Sequence, residues 1–422
     1  MSPPKQVVIV GGSIAGLLQG LQLKRLGSEV VMLEQDPSKE RHNHESGITI
    51  GPSVVALLDK YDAAGRPVAI PGDFLSASWR KHLWVINRPW HSEMSNWGCL
   101  YNVLRANFDG MVSAAVPVAP APRKGDGKVE YRSGQRVRGI FDDADKRRVT
   151  VEFTDVTTGV KGKLTADLVL GADGAHSTVR SLMGAREGRD YAGYIAWRGT
   201  VPERLLSKEA AEFFSNRLNF CLLRGTYLIS YRIPTEEGNL EPGKRLINWV
   251  WYFKVQDNTP DMAKIFTDVN GVVHHNTVPQ GLVSPKIWAD QKARYFDQFI
   301  EPLAEVVSKT QTPFVTKVGD AECRAASFYD GRVILVGDAF AAHSSHMGMA
   351  SEQAARHCWQ MDRVWRGDIT QEQRDREATF YAKRYLLINR MIGLGGMEWF
   401  LTLLWTVFAY AWLMFLHQIG RV

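Results

Sequence analysis

The 422-residue chain has a formal net charge of +6, with 45% hydrophobic and 23% charged residues, the balance of a folded globular protein with room for two or three structural units. The charge is modest and no Lys/Arg cluster is interleaved with aromatics, which argues against nucleic acid as a partner. Four scattered cysteines (Cys99, Cys221, Cys323 and Cys358) without a Cys-x-x-Cys pair argue against zinc or a disulfide framework and suit a reducing compartment; no catalytic metal is indicated.

The chain runs directly into an apolar β-branched strand at Gln6–Val10, so no signal segment is expected before it. A turn and a helix over Ile14–Leu26 follow, then a second strand closed by Glu34 and Gln35. Gly11, Ser13 and Gly16 occupy the three positions of a dinucleotide fingerprint, with Ala15 between them. Small residues are needed there because a pyrophosphate must approach backbone N–H groups at a helix N-terminus, where the dipole favours anions. Glu34 is placed to accept from ribose hydroxyls. Its charge disfavours a 2′-phosphate, so NAD or FAD is preferred over NADP at this site.

Further on, Pro117–Gly134 reads as a surface loop, and Arg148–Thr154 and Lys163–Leu170 as strands. Leu168–Leu170 leads into Gly171-Ala172-Asp173-Gly174, and Val333–Val336 into Gly337-Asp338. Between them, Ala192–Val201, Arg217–Ile233 and Arg245–Val255 are strand-like and aromatic, predicting a largely antiparallel sheet as one wall of a substrate cavity. Trp197, Trp249 and Trp251 are core candidates, and those on one face could also look at a cofactor. Lys286–Ser308 has a helical pattern that could cover this sheet, and Gly348–Arg366 reads as another helix.

The three cofactor motifs, in this order and spacing over nearly the whole chain, resemble the group A flavoprotein aromatic hydroxylases, built like 4-hydroxybenzoate hydroxylase. Tyr191–Gly199, Asn248–Tyr252 and His346–Met349 further resemble the 2,6-dihydroxypyridine 3-hydroxylase subgroup. The resemblance implies non-covalent FAD, NAD(P)H as co-substrate, and oxygen transfer from O2 to an electron-rich aromatic ring through a C4a-hydroperoxyflavin. It implies an α/β chain: a Rossmann-like FAD-binding domain (1–72, 98–188 and 320–385), an inserted, mostly antiparallel substrate domain (73–97 and 189–319) and an apolar helical tail (386–422).

Residue by residue, the resemblance places Gly47 and Ile48 against the flavin ring, with Arg41 or His44 as a polar contact from the preceding loop. It places Arg105 over the cofactor, Asp173 on FAD and the transient nicotinamide, Asp338 on the flavin-side ribose, and Gly348, Met349 and Ala350 at the helix start beneath the flavin. His346 is the first candidate for base or relay, with His343, Tyr194 and Arg198 beside it and Tyr227 weaker. The pattern departs from the family at Ser345, where proline is usual, and at Ala350, where glycine is common; local loop geometry is what these changes put in question. A halogenase is disfavoured because Trp249-Val250-Trp251-Tyr252-Phe253 lacks the Ile-Pro that its motif carries. An epoxidase, a decarboxylating hydroxylase and a non-catalytic membrane flavoprotein remain as alternatives.

Trp399–Leu416 holds no charged residue over eighteen positions, slightly short of the roughly twenty that a bilayer span needs. The expectation is a tail that touches a membrane; the competing reading is a helix that closes a homodimer or packs on the protein.

Overall fold

The computed structural model describes residues 2–38, 46–86, 92–185, 190–323 and 325–420. Strand β1 (Gln6–Val10), helix α1 (Ile14–Arg25) and strand β2 (Glu29–Leu33) form the first crossover, with β1 and β2 parallel in direct register. Helix α1 is apolar nearly all round because it is buried on both sides; even Gln19 and Gln22 are fully buried. Strand β3 (Gly47–Ile50) follows, then a hairpin of β4 (Phe74–Trp79) and β5 (His82–Ile86). Helix α2 (Trp97–Asp109) starts on Asn96, whose side chain accepts from the Gly98 N–H at 2.8 Å, and stops at the left-handed Gly110.

Within the stretch read as a loop, β6 (Val129–Arg132) adds a parallel edge strand beside β2. Its four residues, none of them fully buried, are too few to register as periodicity. Strand β7 (Leu168–Gly171) pairs with β1 and leads to the short helix α3 (Thr178–Leu182). The inserted sheet uses β8 (Asp190–Pro202), β9 (Arg217–Leu223), β10 (Thr226–Ile233) and β11 (Leu246–Lys254). After them come helices α4 (Pro285–Ala293) and α5 (Glu301–Lys309), then β12 (Phe314–Glu322) and β13 (Val333–Leu335). The chain ends with α6 (Ala350–Arg366), α7 (Gln371–Gly396) and α8 (Phe400–Gln418).

Two sheets organise the molecule. In one, the order is Ser327–Phe328, β13, β7, β1, β2, β6, all parallel except the first pair. In the other, Thr277–Val278, β12, β8, β11, β10, β9, β4 and β5 run across, with the β4–β9 pair parallel and the rest antiparallel. The 386 boundary expected for the tail falls inside α7, which is continuous to Gly396; the exposed apolar helix begins only at Phe400.

The large sheet separates the tryptophans from the cavity. Trp197, Trp249 and Trp251 point to the face covered by α4 and α5, where Trp288 stacks on Trp249 at 5.5 Å. The reading that lets them look at the cofactor is thus corrected: with a side-chain period of two, Tyr194, Ala196, Arg198, Val250 and Tyr252 take the opposite face. The Trp249 indole N–H donates to the Thr310 hydroxyl at 2.9 Å, so this buried ring is polar-satisfied as well as packed. Trp249→Ala should cost about 3–5 kcal/mol of stability by opening a large cavity there. Denaturant unfolding checks this, and a loss under about 1 kcal/mol would contradict the packing described.

Candidate active site

A cavity of about 1030 Å³ lies where the two sheets, β3 and helices α6 and α7 meet. At its nucleotide end stand Gly11, Ser13 and Ala15 from the first turn, Glu34 and Gln35 after β2, Asp173 after β7, and Asp338 after β13. At the other end stand Gly47 and Ile48 from β3, Gly348, Met349 and Ala350 at the start of α6, and Arg198, His343 and His346. Thus motifs separated by more than 300 residues line one space. Gly16 does not line it. It lies one turn inside α1, where a Cβ would stand 2.0 Å from the Gly11 carbonyl oxygen.

The nucleotide end is shaped for close approach of a ligand's phosphates to backbone. Gly11 has φ +104°, and a Cβ there would meet the Ala172 carbonyl at 2.5 Å. Ser13 caps α1 by position but makes no side-chain cap bond, so the first N–H groups of the helix are left for a ligand anion. Glu34 is buried; its two carboxylate oxygens accept from the N–H groups of Gly12 (2.8 Å) and Asp36 (2.9 Å). The Asp173 carboxylate is drawn onto the N-terminus of α3, accepting from Ser177, Thr178 and Val179. Burial raises its pKa. Asp338 sits in a one-turn helix (Gly337–Ala339) whose Ala339 carbonyl accepts from Arg180 at 2.9 Å.

Arg105 departs from the position the resemblance gives it. It lies outside the cavity lining, donates to Asp109 (2.8 Å) and to the Tyr101 hydroxyl (2.7 Å), and stacks its guanidinium 3.6 Å from the Tyr131 ring centre. An acid four residues on, across one helical turn, captures it. Tyr131 in turn donates to the Gly12 carbonyl at 3.2 Å, so Arg105 supports the nucleotide turn from behind. Arg41 and His44 lie outside the described residues.

At the other end, His346 is fully enclosed between two tyrosine hydroxyls: Tyr194 at 2.7 Å from Nε2, and Tyr227 at Nδ1. From Tyr194 the chain of bonds continues to Ser344 (3.2 Å), then to Asp320 (2.7 Å), whose other oxygen accepts from Arg390 of α7 at 3.1 Å. A carboxylate only accepts, and this fixes the direction of the whole chain. Ser344 donates to Asp320, Tyr194 donates to Ser344, and His346 Nε2–H donates to Tyr194. Nδ1 of His346 therefore accepts from Tyr227. Desolvation lowers the His346 pKa to about 3, so the imidazole is neutral at pH 7. Tyr194 itself does not line the cavity. Both nitrogens of His346 are engaged, so a direct base role would require one tyrosine to give way, whereas a relay requires no movement.

Besides His346, the polar groups that face the space at this end include Arg198, Ser344, Ser345 and His343. Arg198 donates to the Ser345 hydroxyl at 2.6 Å, while its buried Nε is unpaired among the described residues. Ser345, in the family's proline position, thereby ties the arginine and the Tyr252 hydroxyl (2.8 Å) to the loop. His343 Nε2–H donates to the Gln353 side-chain oxygen at 3.0 Å and leaves a buried acceptor, Nδ1, unpaired among the described residues. Asp320, Ser344, Tyr252 and Tyr131 are functional candidates that sequence reasoning missed. Two of them had a signal: Ser344 lies between two candidate histidines, and Tyr252 ends the Asn248–Tyr252 segment of the subgroup resemblance.

Burial keeps His343, His346 and His357 neutral by lowering their pKa values. An unfolded histidine titrates near 6.5. Between that pH and the depressed folded values, the unfolded chain binds more protons, so stability falls as pH falls through this window. Each such imidazole contributes a slope of about 1.4 kcal/mol per pH unit. The unfolding midpoint should drop between pH 7 and pH 5, and His346→Gln should drop less steeply; parallel slopes would contradict the assignment.

The features fit FAD on structural grounds: a glycine cradle that any Cβ would fill, an uncapped helix start, and, unpaired among the described residues, a buried donor at Arg198 Nε and a buried acceptor at His343 Nδ1. A family model described as FAD binding domain-like matches residues 191–320, which is the inserted sheet and the strand returning from it. The chain is 27% identical over 363 residues to the 2,6-dihydroxypyridine 3-monooxygenase of Paenarthrobacter nicotinovorans, covering 84% of this chain and 81% of that protein. Among solved structures, 2,6-dihydroxypyridine-3-hydroxylase from Arthrobacter nicotinovorans superposes with a TM-score of 0.73 at 23% identity, over 92% and 91% of the two chains. Klebsiella pneumoniae HpxO complexed with FAD and uric acid superposes with a TM-score of 0.65 at 19% identity, over 98% and 93%.

Proposed function

We propose that this chain, which belongs by sequence and fold with the group A FAD-dependent aromatic monooxygenases, hydroxylates a phenolic or other electron-rich aromatic substrate with NAD(P)H and O2. The observation that carries the reading is the single cavity that joins the three nucleotide-site turns to an apolar, hydroxyl- and guanidinium-lined chamber. Bound FAD would take a hydride from NAD(P)H and supply the dioxygen chemistry. Gly11, Ser13, Ala15, Glu34 and Asp338 would hold its nucleotide half, and Gly47, Ile48, Gly348, Met349 and Ala350 would border its ring.

The chain's own residues then have distinct tasks. Arg198 places a cation beside the substrate chamber and favours the ionised, more nucleophilic phenol. Leu75, Leu218, Phe220, Ile229 and Val250 exclude water from the same chamber. A substrate proton would enter at Ser344, which lines the chamber, as Ser344 gives its own to Asp320 beside Arg390; neutral His346, joining Tyr227 to Tyr194, holds that hydroxyl in line. The exposed apolar helix α8 supports a further element of the reading: contact with a membrane, and an aromatic substrate with an apolar substituent. A dimer closed by α8 is the second reading of that same surface.

Purified protein screened against simple and prenylated phenols should oxidise NAD(P)H faster on addition of one of them, with one O2 consumed per NAD(P)H. Acid precipitation should release free FAD into the supernatant. No stimulation by any phenol, with oxidation unaffected by O2 removal, would refute the hydroxylase reading.

A further inference from the structure

Helix α8 does not project from the protein; it folds back along α7. His417 near its end stacks on Phe380, early in α7, at 3.7 Å. Only Thr406 and Leu413 of α8 are buried. Its outer face is mostly apolar, with Leu401 85%, Trp405 70% and Phe408 60% exposed and Thr402, His417 and Gln418 its exposed polar residues. At the turn between the helices, Glu398 (φ +59°) lies beside Gly225 of the β9–β10 turn. That turn adjoins the tip of the β4–β5 hairpin, where the Arg80 N–H donates to the Leu222 carbonyl at 2.8 Å. The hairpin exposes Trp79, Leu83 and Trp84, with Lys81 beside them, and Arg224 is exposed on the neighbouring turn.

We propose that α8 and the β4–β5 hairpin together form one docking surface for an anionic bilayer, with α8 lying in the plane of the interface rather than crossing it. This rests on the membrane contact proposed above and commits it to a geometry. A 19-residue helix is about 28 Å long, enough to span. Spanning, however, would require α8 to leave α7 along its whole length. Lying flat buries the exposed stripe with no change in the fold. The cations at the hairpin and turn complement acidic headgroups. In a two-fold pair of copies, identical cations would be brought toward one another.

The surface also has a path to the cavity. Leu75, Ala77 and Trp79 of β4 and Leu218, Phe220 and Leu222 of β9 share one sheet face by register. Leu75, Leu218 and Phe220 line the cavity, while Trp79 reaches the exposed hairpin. Ile392, Met397 and Trp399 at the α7–α8 junction pack in the same apolar cluster. An amphiphilic aromatic substrate would move along this strip from lipid to cavity.

Spin labels on Leu401→Cys, Phe408→Cys and Phe415→Cys test the geometry, because these positions recur every seven residues on one helix face and the four native cysteines are buried. With vesicles containing phosphatidylglycerol, the full-length protein should bind, and all three labels should report the same depth within a few ångströms. A spanning helix would separate successive labels by roughly 10 Å, and that result would overturn the in-plane proposal. Arg80→Gln/Lys81→Gln and Trp79→Ser/Trp84→Ser should each keep their FAD and lose about tenfold or more in partitioning to these vesicles. Undiminished partitioning would remove the hairpin from the surface. No binding to vesicles of any composition, with a dimer in solution, would overturn the membrane contact itself and leave the hydroxylase reading standing.

Discussion

His346→Ala is expected to retain FAD and its reduction by NAD(P)H while losing roughly 10²–10⁴ in hydroxylation rate, with more hydrogen peroxide formed per NAD(P)H oxidised. The reason lies in the bond chain. His346 is the joint between Tyr227 and Tyr194, hydrogen-bonded to both hydroxyls. Its removal leaves two buried phenols without their partner and cuts the route to Asp320. Tyr194→Phe keeps the aromatic packing and breaks only the next link, so it should reproduce much of the rate loss at near-normal stability. Stopped-flow measurement of the reductive and oxidative half-reactions separates the two effects. Unchanged coupling and rate in both variants would shift the proton path to His343 or Ser345.

Asp338→Ala should lose FAD affinity by about ten- to hundredfold, as expected for a buried charge-assisted hydrogen bond of about 1.5–3 kcal/mol. The position is firmly held. Gly337 adopts φ +56°, where a Cβ would press on Ala15 at 2.8 Å, so the turn after β13 is locked against the first nucleotide turn. Arg180 clamps the following carbonyl. The variant should therefore fold normally and emerge pale, and its flavin content should recover on adding excess FAD. Near-normal flavin in the protein as purified would count against the role given to Asp338.

The parts legible from sequence were those encoded locally. A β-branched run, a small-residue turn and an acid at the right interval specify a crossover whichever chain surrounds them, and Gly11, Glu34 and Asp338 do line the cavity of about 1030 Å³. The aromatic strands were legible as strands for the same reason. Which of their faces was covered could not be read, because period-two alternation divides side chains into two sets without saying which set α4 and α5 will bury. The three tryptophans pack on the face that α4 and α5 cover, away from the cavity. Arg105 shows a different limit: resemblance carried its position, but Asp109 one turn away and Tyr131 from a distant strand decide where its guanidinium goes. The relay was half visible. The histidines stood out, whereas Asp320 and Arg390 are 24 and 70 residues from their partners and become neighbours only when β12 and α7 pack on the same loop.

The measurement that bears most directly on the central claim is isotopic. The purified enzyme, supplied with NAD(P)H and a phenol that stimulates its oxidation, should be run under ¹⁸O2 and the product examined by mass spectrometry. The account predicts one ¹⁸O atom in a new ring hydroxyl, with one NAD(P)H consumed for each product formed. A product carrying oxygen from water, or NAD(P)H consumed with hydrogen peroxide as the sole outcome for every aromatic tested, would contradict it.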